Sequence, residues 1–279
     1  MPKTTATADE RRRAIEILLL WEGRVSRGRL LELFDVHGTL ISRDITAYRE
    51  AFPDACSPVG AGRAYVVTPW AKPHLTGGHF AEYEELVGTL PAQGLRARVE
   101  LISIEQHATS IQFRPFSRIH AAIRDGHQVL IQYRSLRNPE AHARTIRPHA
   151  FIQAGPRWHL RAYCERAQEF RDFNLSRISS VGDPSASILP GAELDQAWNT
   201  RMKLRLVPHP ALNSLQSKLV RDEYMHGTVA VVFEVRQPEA KYVVRGFHAA
   251  VDVNVQQPPD YILAVHEPNT FAPGTFFAQ

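Results

Sequence analysis

Between residues 128 and 181 the chain runs through QVLIQYRS, RTIRPHAFIQA, RWHLRAYC and RDFNLSRISSV, with turn-like RNPEA and CERAQE interposed. Short strands that follow one another this quickly, across turns alone, predict a small antiparallel barrel or a strongly bent sheet. In RWHLRAYC a period of two puts Trp158, Leu160, Ala162 and Cys164 on a core face, and Arg157, His159, Arg161 and Tyr163 on a polar, basic one. Read as one strand, the last run gives Arg171, Phe173, Leu175 and Arg177 the same parity, an apolar centre with arginine at each end. Two accounts of those arginines stand open. Long side chains at strand ends can reach water, or they converge on an anion, because a half-buried guanidinium needs an acceptor.

Upstream of this sheet the hydrophobic period changes to that of helices. RPFSRIHAAIRDG carries Phe116, Ile119, His120 and Ile123 on one face and stops at Gly126. Before it come strand-like VELISI (99–104), the helical FAEYEELVGTL ending at Pro91, and the proline- and glycine-rich linker PWAKPHLTGGHF (69–80). The N-terminal DERRRAIEILLLWE places Ile15, Leu18, Leu19 and Glu22 at helical spacing and ends at Gly23. Ser26 can cap a second helix, RGRLLELF, with Leu30, Leu33 and Phe34 inward. In VHGTLISRDITAYREAF, Ile41, Ile45, Tyr48 and Phe52 form a buried stripe, leaving Thr39, Ser42, Arg43, Thr46 and Arg49 outside or on the flanks. CSPVGAGRAYVVT then reads as two strands around a glycine turn. Three short helices and a hairpin predict a winged helix-turn-helix whose third helix enters the major groove of DNA. Its small polar face with arginine suits phosphate and base-edge contact, with Arg63 on the wing.

Charge separates the modules. The whole chain carries a formal +4, but residues 111–180 alone hold twelve arginines, no lysine and five acidic residues, a local balance of +7. Arginine presents a planar fork that matches phosphate or carboxylate. The expected winged helix is near neutral, which leaves a protein-interaction module as its competing reading. Metal-dependent nuclease or phosphodiesterase chemistry would need clustered carboxylates, and the arginine-rich region offers few. No HExxH, paired CxxC, phosphate loop or nucleophile elbow occurs, and His142, His149 and His159 fall on different strands or a turn. No metal site, cofactor or enzymatic activity is therefore expected. Cys56 and Cys164 are far apart, and no run is apolar enough for a signal peptide or a membrane span, so the expectation is a reduced, cytoplasmic protein.

TLISRDITAYRE, with Ser42, Arg43 and Asp44 at its centre, resembles the recognition helix of the bacterial DeoR-like regulators. RTIRPHAFIQAGPRWHLRAYCERAQEFRDFNLSRI resembles the WYL domain, named for a Trp-Tyr-Leu triplet that reads Trp158, His159, Leu160 here. That resemblance implies an Sm-like or SH3-like small barrel that binds a nucleotide or nucleic-acid ligand. At matching positions it implies Tyr133, Ser135, His149, Trp158, His159, Arg171 and Arg177 as the ligand set. A winged helix, a WYL domain and a C-terminal extension together resemble the repressors of bacterial anti-phage islands, of the CapW and BrxR type.

The expected architecture is multidomain α+β. A winged helix (1–68) and a helical linker (69–112) precede a WYL barrel (113–190) and a C-terminal domain (191–279) used for dimer contacts. In the last of these MKLRLV, ALNSLQSKLVRDEY, TVAVVFEV, EAKYVVRGF and VDVNVQQ give a β-α-β-α-β order. The expected function is a homodimeric repressor on an inverted-repeat operator, controlled by an anionic nucleotide or oligonucleotide. A nucleotide-processing enzyme or a protein adaptor is the alternative.

Overall fold

Thr7 opens the first helix through a capping box: its hydroxyl accepts from Glu10 N at 3.2 Å, and Glu10 Oε2 accepts from Thr7 N at 2.7 Å. This helix, α1 (Ala8–Glu22), ends where Gly23 turns left-handed at φ 71°. The computed structural model describes residues 6–60, 62–87, 111–136 and 138–276, which fall in two units, Met1–Leu189 and Pro190–Gln279.

In the first unit α1 serves two cores, which accounts for its ILLLW run. Ala14, Ile15, Leu18 and Leu19 face the winged helix. Ile17, Leu20 and Trp21 face the central sheet. After α1 come β1 (Arg24–Ser26), α2 (Arg27–Leu33), α3 (Gly38–Ala51), β2 (Cys56–Val59) and β3 (Ala64–Val67). Ser26 caps α2 as expected, accepting from Arg29 N at 3.2 Å. The hairpin gains β1 as a third strand, in the antiparallel order β1-β3-β2. Three residues are too short to carry a period, so nothing in RVS announced that strand. Helix α4 (Phe80–Val87) follows, and VELISI lies outside the described residues.

Helix α5 (Phe113–Asp125) ends on left-handed Gly126 and buries Phe116, Ile119 and Ala122 beneath the central sheet. That sheet comprises β4 (Val129–Tyr133), β5 (His142–Ala154), β6 (Arg157–Cys164), β7 (Glu169–Asn174) and β8 (Ile178–Val181), antiparallel in the order β7-β6-β5-β4-β8. Bulges at Gln132/Tyr133 and at Pro148/Ala150 bend it. Among the described residues no ladder joins β7 to β8, so the sheet stays open and the expected closed barrel does not form. RDFNLSRISSV is also not one strand. A 3-10 turn over Leu175–Arg177 interrupts it, held by Asn174 Oδ1 accepting from Ser176 N at 3.0 Å. The shared parity of Arg171 and Arg177 is lost with it.

In the second unit α6 (Gln196–Asn199) leads into β9 (Arg201–Pro208), α7 (Ser214–Tyr224), β10 (Val231–Arg236), α8 (Gln237–Gly246) and β11 (Leu263–Val265). The β-α-β-α-β order from β9 to β11 is the one expected, and the sheet runs β10-β9-β11. Its final strand is not VDVNVQQ. There Gln256 Oε1 accepts from Val251 N and Asp252 N, and Asp252 Oδ1 accepts from Asn254 N at 2.9 Å. Those side chains bind their own backbone and coil the segment into turns. The strand comes later, at Leu263–Val265.

Candidate nucleic-acid interface

Helix α3 exposes Thr39, Ser42, Arg43 and Thr46 along one side, while Ile41, Ile45 and Tyr48 are buried on the other. The Ser42 hydroxyl donates to Gly38 O at 3.1 Å and that of Thr46 to Ser42 O at 3.0 Å. Both hydroxyls thus spend their proton on the helix and present acceptor lone pairs outward. Arg43 makes no side-chain hydrogen bond or ion pair among the described residues. Arg49 is less free. Its guanidinium lies 4.6 Å over the Tyr65 ring and donates to the Tyr65 hydroxyl at 3.4 Å, tying α3 to the wing strand β3. Arg63 is exposed on the wing, beside Gly60 and Gly62 in left-handed conformation.

Asp44 belongs to the scaffold. It is buried and accepts from Arg11 Nε at 2.6 Å, so the Ser-Arg-Asp triplet divides into two outward residues and one inward anchor. A second buried carboxylate fixes α3 from the other end. Glu16 Oε1 on α1 accepts from the backbone N–H groups of His74, Leu75 and Thr76, at 2.8, 2.8 and 3.0 Å. Its Oε2 accepts from the Tyr48 hydroxyl of α3 at 3.1 Å. Burial, and then the negative Glu16, push the Tyr48 phenol well above its ordinary value, so it stays a donor.

One arginine near α3 has no sequence signal. An added Cβ on Gly38 would meet the Arg27 guanidinium at 2.2–2.6 Å, so Arg27 of α2 lies over the N-terminal end of α3. It is exposed there, near Thr39. Only the close approach of two helices puts it beside the outward side of α3.

The linker helix α4 joins the winged helix to the central sheet by its three successive residues Glu82, Tyr83 and Glu84. Glu82 takes Arg13 of α1 at 2.5 Å. Burial works against its charge, but Arg13 and the Gly77 and His79 N–H groups hold Glu82 below the usual carboxylate range. Tyr83 donates to Glu22 at 3.4 Å, and burial followed by the Glu22 charge raises its phenol. Glu84, buried, accepts from Trp158 Nε1 at 2.9 Å and Gln153 Nε2 at 3.1 Å, both from the central sheet. Trp158 also meets Phe80 edge-on at 5.3 Å.

The sheet register separates the residues that resemblance singles out. Arg171 pairs with Ala162, and Phe173 with Leu160, so both lie on the core-side face. Tyr133 packs edge-on against Phe173 at 5.0 Å, and its hydroxyl accepts from Asn174 N at 3.4 Å. His159 pairs with Asn174 and Arg161 with Asp172 on the opposite face, where His149 meets Phe170 at 5.8 Å. That opposite face is not simply solvated: Arg161 is buried and bound to Asp172 at 3.0 Å. Ser135 sits in a tight turn, its hydroxyl accepting from Asn138 N at 3.0 Å. Arg171 is exposed and paired with Glu169, and Arg177 is half-buried in the 3-10 turn.

Much of the arginine excess is structural. Arg114 donates to Pro69 O and Arg147 to Leu189 O, tying helix and sheet to neighbouring loops, and Arg118 donates to Val181 O, tying α5 to β8. Arg144 differs. Its guanidinium lies 6.0 Å from the Tyr133 ring and 3.8 Å from Cys164 Sγ, and its Nε is buried with no acceptor among the described residues. Among those residues there is also no group of His, Cys, Asp and Glu fit to hold a metal ion, and no helix is long and apolar enough to cross a membrane.

The three parts of this chain match three families. Residues 7–89 match the BrxR transcriptional regulator winged helix-turn-helix domain, 115–182 the WYL domain, and 201–271 the BrxR transcriptional regulator C-terminal dimerization domain. The DNA-binding transcriptional repressor CapW of Stenotrophomonas maltophilia is 30% identical over 218 residues, 75% of this chain and 73% of that protein. The chain belongs to the CapW family. CapW of Pseudomonas aeruginosa is 27% identical over 90% of this chain and 86% of its own length. CapW of Escherichia coli (strain KTE188) is 29% identical over 82% and 79%. Within this CapW-family chain, α3 and the wing lie inside the winged-helix match, and Tyr133, Arg144 and Trp158 inside the WYL match. Arg27, Arg144 and Glu84 are the residues that sequence reasoning passed over. Alternation along a strand cannot tell an arginine that meets water from one whose Nε faces a closed interior.

Proposed function

We propose that this chain is a homodimeric transcriptional repressor that reads an inverted-repeat operator through α3 and is controlled by an anionic ligand on its WYL sheet. The DNA reading rests on one observation: α3 presents Arg43 unpaired between Thr39, Ser42 and Thr46, while its remaining side is locked by buried Asp44 and Tyr48. A rigid helix with a free guanidinium and outward hydroxyls suits major-groove contact. Arg49 and Arg63 support it at the wing, and Arg27 joins them as a phosphate contact. One winged helix gains limited specificity, so two half-sites read by a dimer fit the C-terminal dimerization match. The relatives' description as DNA-binding repressors supports the same reading. Phage defence is the setting we propose for the regulated operon.

For the ligand, Tyr133 and Arg144 with Ser135, Arg171 and Arg177 form the contact set we favour, Tyr133 stacking a base and the arginines taking phosphate oxygens. His149 and His159 form the wall behind the sheet. Trp158 carries occupancy to α4 through Glu84. Fluorescence anisotropy with DNA selected by the wild-type protein tests the DNA half. Arg43→Ala should weaken operator binding by about 1–3 kcal/mol and relax preference at one position per half-site. Unchanged affinity would remove Arg43 from the interface. Adding nucleotides and oligonucleotides to the wild-type complex tests the ligand half, which fails if none shifts operator affinity.

A further inference from the structure

We propose that the outward face of α7 is a docking surface for a second copy of this chain. The proposal rests on the homodimer reading above and adds the surface that makes it. Helix α7 is apolar on two sides. Inward, it sends Val220 into the core of the second unit with Leu204, Leu206 and Val244. Outward, Leu215 and Leu219 stand one turn apart, 79% and 66% exposed. A helix that only covers a sheet needs a single apolar stripe. A second stripe in water leaves hydrophobic area unused, and such area marks a contact.

The occupant follows from where the stripe lies. Residues 201–271 match a C-terminal dimerization domain, and α7 falls within them. A twofold contact uses the same patch on both copies, so the patch must be compatible with itself. The α7 face meets that requirement. Two leucines form its centre, and Lys218 and Asp222, of opposite sign, flank them, so a second copy meets no field of like charge. Antiparallel docking of two such helices sets each Leu215 against the partner's Leu219. An 11-residue helix covers less than a standard interface of about 1,600 Å² needs, so this contact is the apolar centre of a wider surface.

Sedimentation of the full chain tests this. Leu215→Lys/Leu219→Lys should weaken self-association at least about 100-fold, as expected for two lost leucine burials replaced by charge. Its circular dichroism should match wild type, because neither side chain is in the core. Leu215→Met/Leu219→Met, which keeps the apolar surface, should dimerise as wild type does. A folded Lys variant that dimerises like wild type overturns the α7 surface and leaves the homodimer reading standing. A monomeric wild-type chain at operator-binding concentrations overturns the homodimer reading first, and this surface with it.

Discussion

The Trp158 indole N–H donates to Glu84 Oε1 at 2.9 Å, so the first residue of the WYL triplet in this chain is fastened to the linker helix. Through α4 the same contact continues to α1, where Tyr83 meets Glu22 and Phe80 meets Trp21 at 5.0 Å. A change in the sheet therefore has a short, packed route to the helix that carries Glu16 and Arg11, the partners of Tyr48 and Asp44 on α3. Replacing Glu84 by Ala leaves the half-buried Trp158 donor, and the exposed Gln153 amide, without that acceptor. It should cost about 1–3 kcal/mol in urea unfolding. Trp158→Phe removes one donor and spares the ring packing, so it should cost less. A double-mutant cycle on the pair should give a coupling of about 1 kcal/mol, and zero coupling would mean that the hydrogen bond holds nothing.

Arg43 and Asp44 are neighbours with opposite duties. Asp44→Asn breaks a buried ion pair and leaves the Arg11 guanidinium uncompensated, at about 3–5 kcal/mol of stability. Arg43→Ala should leave the melting temperature unchanged, because the side chain is exposed. Calorimetry of both variants separates folding from reading, and equal melting shifts would contradict the division.

Glu16→Ala strips three backbone N–H groups and the Tyr48 hydroxyl of their shared acceptor. Residues 74–76 should then exchange amide protons faster, and the chain should lose about 3 kcal/mol or more. Protection at His74 to Thr76 equal to wild type would show that the loop holds itself.

How much of this was legible in the sequence depends on the range of each interaction. The helices of the winged helix, their caps at Ser26 and Gly23, and the inward stripe of α3 are local patterns, and they read directly. RWHLRAYC gave its strand to the residue. What failed was decided by a few side chains turning on their own backbone, as Asn174 does in the last strand of the sheet and Gln256 in VDVNVQQ. What was missed was long-range. Glu84 and Trp158 are 74 positions apart, and Glu16 and Thr76 are 60 apart, so no spacing rule connects them. The face split between Arg171 and His159 depends on the β6–β7 register, which neither strand carries by itself.

His120 makes stability depend on pH. It is half-buried on α5 with its Nδ1 enclosed, and that burial lowers its pKa from the ordinary 6.5, with Arg124 and Arg29 acting the same way and Glu22 and Asp125 against. The unfolded chain therefore takes the proton first. The contribution of the neutral ring is whole above pH about 6.5 and declines as pH falls below it. Urea midpoints at pH 7.5 and pH 5.5 should show a loss in wild type that shrinks in His120→Gln. An equal loss in both would assign the pH dependence to other groups.

Arg144 separates the two accounts of the arginine excess. Other guanidinium groups of the sheet already meet an acceptor: buried Arg161 has Asp172, and half-buried Arg147 has the Leu189 carbonyl. Arg144 holds its Nε in the interior beside Tyr133 without one, which costs folding free energy until something supplies an acceptor. An anion bound there therefore recovers energy that an anion on exposed Arg171 does not. Two measurements follow. Arg144→Met, which keeps the stem and removes the unmet donor, should leave the ligand-free chain as stable as wild type or more so, because the buried polar cost disappears with it. The same variant should lose any thermal stabilisation that a nucleotide or short oligonucleotide gives wild type, whereas Arg171→Ala should retain part of it, since its partner Glu169 and its exposure leave it a weaker contact. An Arg144→Met chain that is markedly destabilised without ligand would mean that the guanidinium is already satisfied by the fold. One that responds to ligand as wild type does would place the anion elsewhere on the sheet.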